Sequence, residues 1–378
     1  MARRISPSVD KPKIDVKMDF YHSKYSKSKR KKFKFKRWFL GLVFIFIFIF
    51  GGIGYIVYQA GFSPNIWVPS GKKEFIVFIK PTDQFSDLKK QLYSNGLIVH
   101  RKDFEWWSKL KKFDQSLKPG KYKLTGGMSN NDLINQIRSG NQEPVRLIFN
   151  NIRLKTDLAG RISQQLNCDS TVLLNLLNDS VLAGKYGFTN ETILCMFIPN
   201  TYFLNWTTSE AKFLDRMHYE YQQFWNKTRL EKASAQKLSP VEVSILASII
   251  DKETQKNDEK ARIAGVYLNR LKLNWRLQAD PTLIFAIGDF TIKRVLNEYM
   301  QFESPYNTYK HEGLPPGPIC IPSISSIDAV LDAEQHKYMY FCAKPDYSGY
   351  HNFATNYIQH TTNAYLYRNF LNSERIFK

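Results

Sequence analysis

Cysteine is scarce: Cys168, Cys195, Cys320 and Cys342 are the only four in 378 residues. They form no CxxC pair and have no metal-ligand spacing with the seven histidines, so neither a metal nor a cofactor is expected. Whether the thiols pair with one another stays open. Acid is also short, with 34 Asp and Glu against 54 Lys and Arg and a formal charge of +20. Such a balance suits an acidic polymer or anionic lipid headgroups as partner. Internal repeats are absent, which excludes a solenoid, and the only biased segment is a basic head. With 43% hydrophobic and 15% aromatic residues the chain is folded material, long enough for two domains and an anchor.

Residues 1–37 hold fourteen Lys and Arg against three Asp, in runs such as "KSKRKKFKFKR". Directly after them, "WFLGLVFIFIFIFGGIGYIVY" gives 21 residues without a charge, Trp38 to Tyr58. That is enough to cross roughly 30 Å of hydrocarbon as a helix. The Phe/Ile alternation would suit a strand, but a lone strand cannot satisfy its backbone in lipid. The long basic head and the absence of a small-residue cleavage site point to an uncleaved anchor. Lys and Arg concentrated on one flank predict a cytoplasmic head and everything after Gln59 on the far side of the membrane. Basic heads also bind nucleic acid; one abutting a span is read instead as an orientation signal, and no nucleic-acid partner is expected.

Beyond the connector, residues 72–148 mix strands with capped helices. "EFIVFIK" alternates as a strand, "TDQFSDLKKQLYSNGLI" and "RKDFEWWSKLKKF" read as helices, "LKPGKYKL" as a turn into a strand, and "MSNNDLINQIRSG" as a helix with a terminal Gly. This is a small α+β module. The remainder, 149–378, is predicted to be a larger mixed α+β domain. It is mostly helical to about Lys237 with an extended "FIPNTYFLNW", then two further helices, a long turn-rich stretch, two strands and a closing helix.

The start of "SPVEVSILASIIDKETQ" is strongly marked. Ser239 at the N-cap, Pro240 at the first helical position and Glu242 three residues after the Ser make a capping box. Along that helix Leu246, Ile249, Ile250 and Glu253 share one stripe at the i, i+3, i+4, i+7 spacing, while Asp251 points roughly the opposite way and is expected to face outward. An acid on an apolar stripe loses hydration when ionised, so its pKa rises toward neutrality, which is what a general acid for C–O cleavage needs. The competing reading ends the helix near Lys252 and leaves Glu253 in a wet last turn.

Polar residues accumulate downstream: Asn269 and Arg270, Gln278 and Asp280, Asn307, Thr308 and Tyr309 near a stiff "GLPPGPI", and His351. Amides, hydroxyls, aromatic rings and an Arg on Pro-rich loops are what a carbohydrate groove uses. Taken singly, each has a structural alternative as a rigid turn, a helix pair or a satisfied core histidine.

In this order, "LASIIDKET", "RIAGVYLNRL", "LQADPT", "YNTY" and "GLPPGPI" resemble the endolytic murein transglycosylase family, also called MltG or YceG-like. The "KPGKYKL" module looks like that family's LysM-like subdomain. The resemblance implies a single-pass inner-membrane enzyme with a periplasmic catalytic domain. It would cut peptidoglycan glycan strands internally between N-acetylmuramic acid and N-acetylglucosamine, leave a 1,6-anhydro end, and work beside cell-wall synthases to limit strand length. It implies Glu253 as the catalytic acid, the second acid of the family's Glu-Lys-Glu-Thr element. The sequence departs from the family at Asp251, the first acid of that element, and at Asn200, where the family writes Pro-Asp-Thr-Tyr. A non-catalytic wall-binding scaffold and a hydrolase of the same bond are the rival readings.

Overall fold

The computed structural model describes residues 29–69, 73–292 and 294–374; most of the basic head and the first residue of the expected 72–148 module lie outside them. The chain divides after Ser63 into two units. The first contains α1, Lys29–Phe62. Its segment Lys36–Phe62 is long and apolar enough to cross a membrane, and its most hydrophobic window has no residue buried by protein. The Phe/Ile alternation is therefore helical, and the expected span from Trp38 to Tyr58 lies within it.

The second unit opens with β1 (Glu74–Ile79), α2 (Phe85–Ser94), α3 (Arg101–Leu110), β2 (Gly120–Thr125) and α4 (Asn130–Ser139). The two strands are antiparallel, Glu74 opposite Thr125 and Ile79 opposite Gly120. Alternation sends Val77, Ile79, Tyr122 and Leu124 inward, and these are buried, as are Leu88, Leu92, Phe104, Leu133 and Ile137 from the helices. α4 starts where Ser129 Oγ accepts from the Asp132 amide at 3.1 Å and stops at Gly140, whose φ of 76° suits a residue without Cβ.

Next come β3 (Val145–Ile148), α5 (Lys155–Ser163), α6 (Ser170–Asn178), α7 (Ser180–Lys185), β4 (Thr201–Leu204), α8 (Glu210–Phe224) and α9 (Lys227–Ala235). β3 pairs antiparallel with the distant β4, Val145 opposite Leu204, so the end of the expected 72–148 module is tied into the region that follows it. Local periodicity carries no trace of a partner that far along the chain.

The last third holds α10 (Pro240–Glu253), α11 (Asn257–Lys272), α12 (Asp280–Ile287), α13 (Ile324–Leu331), antiparallel β5 (Tyr340–Ala343) and β6 (His351–Ala354), and α14 (Tyr357–Ser373). The capping box forms as expected: Ser239 Oγ accepts from the Glu242 amide at 3.2 Å and Glu242 accepts from the Ser239 amide at 2.8 Å. α10 threads the core, with Val243 to Ile250 buried without interruption. It is therefore buried on more than the expected stripe. On its other side Ser248 Oγ donates to the Ile245 carbonyl and accepts from the Ile319 amide at 3.0 Å. α12 and α13 fall within the stretch read as turns. Each has only eight residues, too few to be stable alone; α13 forms by packing on α10 and α11. All four cysteines are free.

α11 passes another chain segment with no clearance at Gly265, where a Cβ would stand 2.4 Å from the Glu334 carbonyl oxygen and 2.6 Å from His336 Nε2. The segment is bonded there, the Glu334 amide donating to the Ala261 carbonyl at 3.0 Å. Gly160, inside α5, has nothing within 4 Å of its Cβ position. Gly265→Ala is expected to destabilise by roughly 1–3 kcal/mol through overpacking, while Gly160→Ala stabilises by about 0.5–1 kcal/mol through helix propensity. Thermal unfolding of the two variants should move in opposite directions; a neutral Gly265→Ala would mean the seam is not tight.

Candidate active site

α10 ends at Glu253 because Thr254 turns extended, with φ −144° and ψ 145°. The final turn is not frayed. α11 returns alongside it, and Tyr267 Oη donates to Glu253 Oε1 at 2.5 Å. Tyr267 is fully buried, and Arg270, three residues on, shares its face. Arg270 Nε donates to the Met339 carbonyl at 2.9 Å and its Nη1 to the Leu277 carbonyl, so the guanidinium is held by backbone rather than by a carboxylate. Glu253 is recessed at the floor of a cleft of about 610 Å³ whose walls also include Gln278, Asp280, Tyr309, Tyr340 and His351.

One wall is the turn into α12. Gln278 stands at φ +49°, its amide donating to the Thr308 carbonyl at 3.1 Å, and Tyr309 Oη donates to Asp280 Oδ1. The turn is held from behind. Asn307, with no exposed surface, donates through Nδ2 to the carbonyls of Met300 and Phe302 at 3.0 and 2.8 Å and accepts from the Tyr309 amide. Thr308 Oγ1 accepts from the Ala279 amide at 3.0 Å and lies 2.8 Å from Thr282 Oγ1. The facing wall comes from β5, β6 and α14. His351 is fixed by Glu259, which accepts from its backbone amide at 3.0 Å and meets its Nδ1 at 2.8 Å. His360 stacks on Tyr340 with ring centroids 4.9 Å apart.

Burial pushes the Glu253 carboxyl up to about 7; the nearby Asp280 adds to the rise, and the Tyr267 hydroxyl and Arg270 oppose it. Burial also raises Asp280, against the hydrogen bond from Tyr309. Although Asp280 opens into the cleft, the surrounding walls still strip solvation from its carboxyl. Both phenols are raised, each by burial first and then by its acid neighbour.

Of the residues singled out from sequence, the fold brings Glu253, Arg270, Gln278, Asp280, Tyr309 and His351 to this one cleft. Asn269, Asn307 and Thr308 stand behind it. Asn269 spends its amide on the carbonyls of His336 and Tyr338, at 2.9 and 3.1 Å. Asn200 is exposed, its Oδ1 accepting from the Thr201 amide. Asp251 departs from expectation. It does point away from Glu253, but into protein rather than solvent, its Oδ1 accepting from Ser323 at 2.5 Å, Ser326 at 2.6 Å and Lys260 at 3.4 Å. Burial alone would raise it; those hydrogen bonds and the lysines hold its carboxyl below the usual range.

Sequence reasoning missed Tyr267, Tyr340, Tyr357 and His360. Tyr267 carried a usable signal, its i, i+3 relation to Arg270; the aromatic wall carried none, because it depends on β5 packing on α11 and on α14 packing on the β5–β6 hairpin.

A model of the YceG-like family matches residues 77–365. A Bacillus subtilis protein named endolytic murein transglycosylase is 27% identical over 295 residues, covering 74% of this chain and 78% of that protein. One of the same name from Streptococcus pneumoniae is 24% identical over 322 residues; the match takes in 77% of this chain but only 58% of that longer protein. The crystal structure of a YceG-like protein from Listeria monocytogenes superposes with a TM-score of 0.52 at 26% identity, over 77% of this chain and 99% of that one.

An acid whose folded pKa is raised is stabilising relative to its ionised form below its unfolded pKa, near 4.5, and loses that contribution as pH rises through about 7. Glu253→Gln keeps an acceptor for Tyr267 and cannot ionise. We expect the variant to match the parent in stability near pH 4 and to exceed it by roughly 1–3 kcal/mol at pH 8. Denaturant titrations at the two pH values test this, and a constant difference would place the Glu253 pKa outside that window.

Proposed function

The chain belongs to the YceG-like family, and we propose from that membership and from the cleft that it is an endolytic murein transglycosylase with Glu253 as its acid. The observation that carries the reading is the Glu253 carboxyl, raised to about 7, on the floor of a polar, aromatic-walled cleft.

In this mechanism the Tyr267 hydroxyl occupies Oε1, so the proton of Glu253 is held on Oε2. Glu253 gives that proton to the glycosidic oxygen between N-acetylmuramic acid and N-acetylglucosamine as the bond to C1 breaks. The carboxylate then takes the proton of the muramic acid 6-hydroxyl while that oxygen attacks C1, leaving a 1,6-anhydro end and regenerating the acid. No water is consumed. Gln278 and Tyr309 hold sugar hydroxyls, the aromatic wall receives ring faces, and Asp280 lies where negative potential favours an oxocarbenium-like C1. Tyr309 orients that carboxyl.

Asp280 also favours a second reading. Two carboxyls in one cleft are what a hydrolase uses, one as acid and one to activate water or form a covalent intermediate. The reactions part at the product: hydrolysis leaves reducing ends.

Residues 72–148 would act as a LysM-like wall-binding module and 149–378 as the catalytic domain. A basic cytoplasmic head and α1 would anchor the enzyme in the inner membrane with the rest periplasmic, beside the synthases whose strands it shortens. In a wall-binding scaffold without chemistry, the raised pKa of Glu253 would have no use.

Purified glycan strands incubated with the detergent-solubilised chain should yield internal fragments ending in 1,6-anhydro-muramic acid by mass spectrometry. Glu253→Gln should lower the rate by at least about a hundredfold, within the range of lost general acid catalysis. Activity should be flat on the acid side and fall as pH rises above about 7, where the acid is ionised. Reducing ends would establish the hydrolase; intact strands from both proteins would favour the scaffold.

A further inference from the structure

A second cleft, of about 740 Å³, opens on the side of α10 away from Glu253, lined by Arg153, Asp251, Lys252 and Lys260 among amides and serines. Its charges are unevenly spent. Among the described residues that line it Asp251 is the one carboxylate, and its Oδ1 is taken by Ser323, Ser326 and Lys260. Lys260, 5% exposed, is in turn held by Asp251, Ser323 and Ser325. Among the described residues Lys252 donates only to the neutral Asn151, at 2.7 Å. Arg153 makes no ion pair among the described residues; its guanidinium lies 4.4 Å from the centroid of the Phe290 ring. Two cations therefore face the cleft with no carboxylate bonded to them among the described residues, although Lys252 lies near enough to Asp251 to help lower its carboxyl. Charged groups held by neutral neighbours are poised to accept an anion.

The same two cations also line a small adjoining nook of about 70 Å³ whose other walls are apolar, including Ile284, Phe285, Phe290 and Ile319. Positive donors beside a hydrophobic recess of that size select an anionic group attached to a small apolar substituent. Inorganic phosphate or a bare sugar would leave the recess unused.

We infer that this cleft is a binding site, separate from the one containing Glu253, for a carboxylate borne on a small apolar residue, as at the C-terminus of a short alanine-ended peptide. Arg153 and Lys252 take the carboxylate and the nook takes the small apolar side chain. Such a terminus is available on free peptides and on peptides attached to a glycan strand, and Lys252 adjoins Glu253 at the end of α10, so the two sites share one helical turn.

Isothermal titration of the full chain in detergent with N-acetyl-alanyl-alanine and with its C-terminal amide tests the inference. The acid should bind and the amide should not. Arg153→Gln and, separately, Lys252→Gln should each weaken the acid by about tenfold or more, the loss of one charge-assisted contact, and circular dichroism should show both variants folded. Equal binding of acid and amide, displacement by phosphate as readily as by the peptide, or unchanged affinity in two folded variants would overturn it. Strands carrying peptides and strands stripped of them separate the sources: loss on Arg153→Gln confined to peptide-bearing strands assigns the site to attached peptides, and loss seen only with the free peptide assigns it to soluble ones. Neither outcome depends on cleavage, so failure of this site and failure of the proposed chemistry are distinguishable.

Discussion

The hydrogen bond from Tyr267 to Glu253 is the contact on which the cleft depends. It joins the last residue of α10 to the middle of α11, so the acid's position is fixed by two helices buried in one core rather than by a loop. Its electrical effect opposes its structural one. The hydroxyl stabilises the carboxylate, yet the protein that surrounds the pair withdraws more hydration than one hydrogen bond returns, and the balance leaves the acid near neutrality.

α10 carries this balance and its mirror image. Asp251 and Glu253 stand two residues apart on opposite sides, and both are partly removed from water. Burial outweighs a single hydroxyl and an arginine for one, which is raised with help from another acid; two serines and two lysines outweigh it for the other, which is lowered. Placement alone therefore does not decide what a carboxyl can do. The partners supplied by Tyr267 and Arg270 of α11 and Asp280 of α12 in one case, and by Lys260 of α11 with Ser323 and Ser326 at the start of α13 in the other, decide it, which is why the same helix can present a proton to one cleft and a fixed anion to the other.

Much of this was legible in the chain because it was local. The capping box at Ser239, the stripe ending in Glu253, the β1 and β2 strands and the closing helix each rest on spacings within a few residues, and each folded as read. What escaped depends on contacts between distant segments. β3 needs β4, α13 needs α10 and α11 to lie on, and the outward face assigned to Asp251 is covered by Ser323 and Ser326, more than seventy residues along the chain. Among the site residues, the same limit separated roles. Side chains that face a groove and side chains that brace it are alike in composition, and Asn307 and Thr308 were indistinguishable from Tyr309 until the loop closed.

The four unpaired thiols have a consequence for what holds the fold together. Thiol–disulfide exchange requires a thiolate, and burial raises every one of these groups, Cys168 to about 11, Cys320 to about 12, with Cys195 and Cys342 also moved upward. Once folded, each thiol is therefore biased toward its protonated form, and none is tied in a disulfide. The thiol that borders the Glu253 cleft, Cys342, is held in its unreactive form. The fold is thus held together by packing and hydrogen bonds, with no disulfide among its elements.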